Sequence, residues 1–209
     1  GVDLLHIAFS SGLSGTVNAA RLAAETLKEE FPDRKIMVVD SLCASMGQGL
    51  LVDSAIRMKE AGKSIEEVAQ WLEENIPHLC HLFTVEDLKY LQRGGRISKT
   101  TALVGTMIGI KPVLHVDDAG HLIPMEKVRG RKASLDALVA HMEKDAVDPA
   151  SQTVFISHGD CRADAEYVAD LVREKFGTQD IRIHSIGPVI GSHSGPGTVA
   201  LFYLGRTRG

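Results

Sequence analysis

The chain is poor in the features that mark several large protein classes. It has three cysteines in 209 residues, Cys43, Cys80 and Cys161. They are widely spaced and odd in number. A disulfide framework or a paired-cysteine zinc site does not fit that pattern, and a reducing, cytoplasmic compartment does. There is no excess of basic residues: 23 Lys and Arg stand against 27 Asp and Glu, a net charge of −4. A nucleic-acid partner or an anionic membrane surface is therefore not expected. No apolar run approaches the roughly 18 residues of a membrane helix, so no membrane span is expected. Internal repeats and low-complexity linkers are lacking too. Hydrophobic residues make up 44% and charged residues 24%, a globular composition. The chain opens on Gly1 without Met or leader and enters an apolar run within three residues. That start reads as a piece of something longer.

The order of elements points to an α/β fold. Residues 4–9 are a short apolar run, read as a buried strand. Val17, Ala20, Ala24, Leu27 and Phe31 then recur at helical spacing, and Pro32-Asp33 ends that helix. A second strand follows at 36–39, a helix at about 46–60, and another after Ser64. Ser64 and Glu67 have capping-box spacing. Strand–helix–strand–helix–helix argues a Rossmann-like parallel sheet covered by helices over residues 1–77. From residue 78 the pattern changes. Strands are expected at 79–85, 112–116, 121–128, 153–158, 181–187 and 198–204. Helices are expected at 86–93, 101–109, 131–145 and 162–176. Asp117-Asp118-Ala119-Gly120 is a hairpin signal. Residues 78–209 therefore read as a second α/β domain with a mixed or antiparallel sheet.

Four groups of residues are candidates for chemistry, the third of them in two clusters. Ser10-Ser11-Gly12-Leu13-Ser14-Gly15-Thr16 joins a strand to a helix start. Free N–H groups and the helix dipole favour an anion there, and Ser14 and Thr16 add hydroxyls. The loop does not contain the Gly-Lys-Ser/Thr of a phosphate loop. Thr16 also stands where a nucleophile elbow needs glycine. One carboxylate suits it better than a triphosphate, and a simple helix cap is the plainer alternative. Asp40–Gly49 lies at the end of the second strand, where it would line the same crevice; small residues for tight helix packing are the alternative. Two basic clusters, Arg93–Lys99 and Arg129–Lys132, are either solvated surface or balance an anion. Gly187–Gly197 places His193 in a loop of four glycines and two prolines. His78 and His81 face opposite sides of a strand, which argues against a metal site.

In order, SSGLSGT at 10–16, Val39-Asp40-Ser41 with Ser45 and Gly47-Gln48-Gly49, DLKYLQRGGRIS at 87–98 with IKP at 110–112, and IGPVIGSHSGPG at 186–197 resemble the DegV family of bacterial fatty-acid-binding proteins. The resemblance covers essentially the whole chain. It implies a parallel-sheet domain followed by a domain built on an antiparallel sheet, with a long-chain fatty acid in a tunnel between them. It also implies that the acyl carboxylate is presented to a separate fatty acid kinase catalytic subunit. The product would be an acyl phosphate for phospholipid synthesis, with an acyltransferase as a further partner. The chain itself would be a lipid-binding accessory subunit without catalysis or cofactor.

Carried over by motif, Ser14 is the carboxylate ligand and His193 lies near the head group, with Ser11, Gly15 and Thr16 as the supporting loop. Arg96 and Arg129 are matched basic positions, facing the head group or the kinase. The family's opening Thr-Asp-Ser and a second Thr-Ser motif do not occur in this chain. One carboxylate ligand and a strand of the first sheet are therefore expected to be missing. Two alternatives remain beside the carrier: a serine hydrolase using Ser14 and His193, and a phosphocarrier using His193.

Overall fold

The computed structural model describes residues 1–99 and 109–208. It has two sheets. Strands β1 (Leu4–Ala8) and β2 (Ile36–Asp40) pair in parallel, Leu4 opposite Ile36 and Ala8 opposite Asp40. The second sheet is six-stranded and mixed. Its strands are β3 (Leu79–Thr84), β4 (Ile110–Val116), β5 (Leu122–Arg129), β6 (Thr153–His158), β7 (Asp180–Ser185) and β8 (Val199–Leu204), in the order β5-β4-β3-β8-β6-β7. Only β6 and β7 run parallel; the other pairs are antiparallel. This is the expected α/β architecture, parallel first and mixed after.

The helices are α1 (Thr16–Glu30), α2 (Ser45–Glu60), α3 (Ile65–Asn75), α4 (Lys89–Arg93), α5 (Arg131–Asp145), α6 (Arg162–Phe176) and α7 (Pro188–Ser194). The capping box forms as its spacing predicts: Glu67 N donates to Ser64 Oγ (3.2 Å) and Ser64 N to Glu67 Oε2 (2.8 Å). Three local readings need correction. In α1 the stripe is buried at Val17 and Ala24, while Leu27 and Phe31 are exposed. The two-strand sheet beneath covers only the first part of that helix. α4 starts later than residue 86, because Asp87 Oδ1 accepts from Lys89 N and makes a turn first. The expected loop 187–197 contains a helix, α7, with Pro188 at its first position and Gly195 ending it at φ +80°. Its glycines hide the helical period, and proline at the first turn removes no hydrogen bond. The helix expected at 101–109 lies, except for Gly109, outside the described residues.

Core side chains lie on both faces of the six-stranded sheet. On one, Leu135, Leu138, Met142, Val168 and Val172 of α5 and α6 pack with Cys80, Leu82, Ile156, Leu201 and Tyr203. On the other, Phe83, Leu114, Phe155 and Phe202 pack with Leu50 and Leu51 of α2, Val68 and Leu72 of α3, and Val39 of β2. Gly47 is what lets α2 approach: a Cβ there would stand 3.1 Å from the Phe202 ring. The small residues of 45–49 thus serve close packing, as one of the two sequence readings has it.

Candidate functional site

The turns after β1 and β2 are fastened to each other. Ser10 N donates to the Cys43 carbonyl (2.9 Å) and Ser41 N to the Ala8 carbonyl (3.1 Å). Asp40 Oδ1 accepts from Ser11 N (3.2 Å) and Leu42 N (3.0 Å). Asp40 therefore organises both turns, a role its place at a strand end signals but does not specify. The β4–β5 hairpin closes over them. Ser10 Oγ donates to the Gly120 carbonyl (2.9 Å) and accepts from Gly12 N (3.1 Å). Gly120 sits at φ +78° with Ser10 where a Cβ would be, so both the conformation and the contact require glycine.

α1 opens at Gly15 without a side-chain cap. Its first N–H, on Thr16, donates to Ser14 Oγ (3.3 Å), and Ser14 Oγ lies 2.8 Å from Thr16 Oγ1. The helix start thus presents paired hydroxyls and the positive end of the dipole. Ser11 and Gly15 are exposed beside them.

Ser14 and Thr16 form part of the wall of a cavity of about 350 Å³, within the range of small-molecule sites. Arg96 and His193 line the same cavity, and Leu91, Val189 and Ile190 come with them. Arg96 Nη2 donates to the Leu13 carbonyl (3.0 Å) and Nη1 to the Gly94 carbonyl (2.5 Å). The His193 ring rests against Gly94, where a Cβ would collide with it. Apolar parts of the wall include Phe9, Leu13 and Ala44 from the first turns, Leu122 from β5, and Phe83 and Ala200 from the sheet. The cavity thus combines a few polar groups with a mostly apolar surface.

Three of the residues singled out in the sequence, Ser14, Arg96 and His193, are thus brought together from three distant segments. Arg129 is not. It is exposed at the end of edge strand β5 and lies outside the cavity wall. Its neighbours in the basic cluster are spent on ion pairs: Arg131 with Asp164 (2.7 Å) and Lys132 with Asp136 (2.9 Å). His78 Nδ1 lies 3.0 Å from the Arg206 carbonyl, while His81 is buried. Among the described residues no group of three His, Cys, Asp or Glu side chains could hold a metal ion, and no helix is long and apolar enough to cross a membrane.

The cavity also holds polar residues to which the sequence reading assigns no ligand role. Ser45 Oγ lies 3.0 Å from Ser157 Oγ, and both residues line it. Ser194 Oγ is buried and, among the described residues, has no hydrogen-bond partner. His81 lies on the cavity floor, with its ring 4.5 Å from Phe202 and 5.9 Å from Phe83. Burial, reinforced by the charges of Arg208 and His115, pushes its pKa down to about 3. Its imidazole is therefore neutral at ordinary pH. Arg208 is itself buried; Nη1 donates to the Ile76 carbonyl (2.6 Å) and Nη2 to that of Leu42. Single residues inside apolar strands give no periodic signal, so only packing reveals them.

Comparison with known proteins gives a consistent result. A family profile described as "Uncharacterised protein, DegV family" matches residues 1–206. A DegV domain-containing protein of Clostridium perfringens is 52% identical over 208 residues, which is 100% of this chain and 72% of that one. A DegV lipid-binding protein from Thermotoga maritima superposes with a TM-score of 0.85 at 34% identity, covering 98% of this chain and 70% of that one. The Streptococcus pneumoniae fatty acid kinase B3 protein, solved loaded with linoleic acid, superposes with a TM-score of 0.90 at 26% identity. That match covers 97% of this chain and 71% of that one.

Proposed function

Because this chain belongs to the DegV family, we propose that it binds a long-chain fatty acid in the cavity lined by Ser14, Arg96 and His193. The observation that carries this reading is the meeting of those three side chains in one cavity whose surface is mostly apolar. The helix-start hydroxyls and the Arg96 cation supply what a carboxylate needs. The apolar wall supplies what an acyl chain needs, at about 0.8 kcal/mol for each buried CH₂. Residues 1–77 and 78–209 are the two units between which the acid lies. The carboxylate is then presented to a separate kinase subunit, which forms the acyl phosphate in the cytoplasm. Arg129, exposed on β5, is suited to face that kinase rather than the ligand. The chain acts as a carrier and not as the catalyst. The geometry lends a hydrolase no support, since Ser14 Oγ is paired with Thr16 and, among the described residues, has no hydrogen bond to His193.

Native mass spectrometry of the purified protein tests the reading, with added octadecanoic acid as the probe. A one-to-one complex that weakens about tenfold on Ser14→Ala is expected. A wild-type protein that takes up no acid would overturn the carrier, and a serine-directed phosphonate that labelled Ser14 would revive the hydrolase.

A further inference from the structure

The cavity floor is one face of the six-stranded sheet, and its pattern is uneven. Register places Phe83 and Ser157 on either side of Ala200, and His81 and Phe155 on either side of Phe202. Of these, Phe83, Ser157, Ala200 and His81 line the cavity, and Phe83 and Ala200 are what an acyl chain requires. His81 is not, and it is only 4% exposed. It lies two residues further along β8 than the Ala200 row, a step of roughly 7 Å. The β8 end nearest Ala200 is the one that leads back to Ser194 and His193. His81 is thus set a step further along the floor from Ser194 and His193 than the Ala200 row.

Its Nδ1 is buried and, among the described residues, has no hydrogen-bond partner. Buried polar atoms are nearly always paired, and an unpaired one costs free energy. Leucine or phenylalanine would line the floor without that cost. A plain polymethylene chain offers the ring nothing. A neutral imidazole has one donor and one acceptor nitrogen, so a hydroxyl, which both donates and accepts, satisfies whichever tautomer is present.

Resting on the fatty-acid reading above, we propose that the cavity prefers a long-chain acid bearing a hydroxyl group along its chain, and that His81 is the residue that reads that hydroxyl. Ser45 and Ser157, paired to each other on the same wall, keep their own polar atoms satisfied, and Ser194, the other unpartnered group of the lining, stands next to His193 at the head-group side, so His81 is the open partner further along the floor. A hydroxyl placed where the chain packs against Phe83 or Ala200 loses its water without replacement.

The test is a binding series with octadecanoic acid and its monohydroxylated forms, the hydroxyl stepped along the chain. At one position the hydroxy acid is expected to bind the wild-type protein at least as tightly as octadecanoic acid. His81→Phe is expected to weaken that acid about tenfold relative to octadecanoic acid, and His81→Gln to retain it. The inference is overturned if octadecanoic acid binds and every hydroxylated form is about tenfold weaker, or if His81→Phe leaves the positional preference unchanged. The wild-type series decides even where His81→Phe fails to fold. Failure of octadecanoic acid and all its hydroxylated forms to bind removes the carrier reading, and this inference with it.

Discussion

Arg96 Nη2 donates to the main-chain carbonyl of Leu13, 3.0 Å away. A residue just past α4 is thereby joined to the turn that precedes α1, and the guanidinium is held at the cavity wall beside Ser14. Replacement by alanine removes this bond, the one to the Gly94 carbonyl and the cation together. Acid affinity measured by titration calorimetry is expected to fall about tenfold or more, and stability by about 1–3 kcal/mol. Arg96→Lys keeps the charge but loses the fork, and should recover only part of both. Undiminished affinity in Arg96→Ala would remove Arg96 from the head-group site.

Gly94 lies at φ −72° and ψ −8°, a conformation any residue adopts. Gly94→Ala is therefore expected to act through the His193 ring, which occupies the space a methyl would take. Loss of about 1–3 kcal/mol is expected from the overpacking, together with weaker acid binding. In the double variant with His193→Ala the collision is gone, and stability should return toward that of His193→Ala alone. Thermal melts of the four proteins check this; strict additivity would show that the ring does not rest there.

The three thiols should differ in reactivity. Cys43 and Cys80 are buried, and burial pushes their pKa values up to about 11 and about 12. Cys161 is half-buried and raised less, again by burial. An aromatic disulfide reagent at neutral pH should modify Cys161 slowly and the other two only after denaturation. A native Cys161→Ser variant that still reacted would contradict the buried placement.

His81 should make the protein acid-sensitive. Its native pKa is about 3 and its ordinary value 6.5, so between those values the unfolded chain binds the extra proton. The contribution of this residue is full above about pH 6.5 and is lost as pH falls toward 3. The slope is about 1.4 kcal/mol per pH unit for one proton. Urea unfolding at several pH values should give a steeper acid loss for wild type than for His81→Phe. Equal slopes would place a charged or solvated His81 in the native state.

The elements were largely legible because their signals are local. The capping box at Ser64 and Glu67, the Asp117–Gly120 turn and the shift from a parallel to a mixed sheet are written in spacing and turn chemistry. α7 is not, because seven residues interrupted by Gly191 and bounded by Gly187 and Gly195 carry too short an apolar stripe to read. The exposed Leu27 and Phe31 of α1 were misread for the converse reason. A helical stripe shows which side faces a partner, but not how far that partner extends.

At the site, the sequence by itself determined which loops are polar and that they follow strands: Ser10–Thr16, Asp40–Gly49 and the segment around His193. Those properties follow from residue type and chain neighbours. Only the tertiary structure decided which of them meet. It placed Arg96 against Leu13 and left Arg129 exposed on an edge strand, although both sit in similar basic clusters. It buried His81 and Arg208 in apolar surroundings that no periodicity announces. The reason is physical: a hydroxyl at a helix start is set by neighbours in the chain. The partner of an arginine or the isolation of an imidazole is set by contacts between residues far apart in sequence, and those exist only once the sheets have packed.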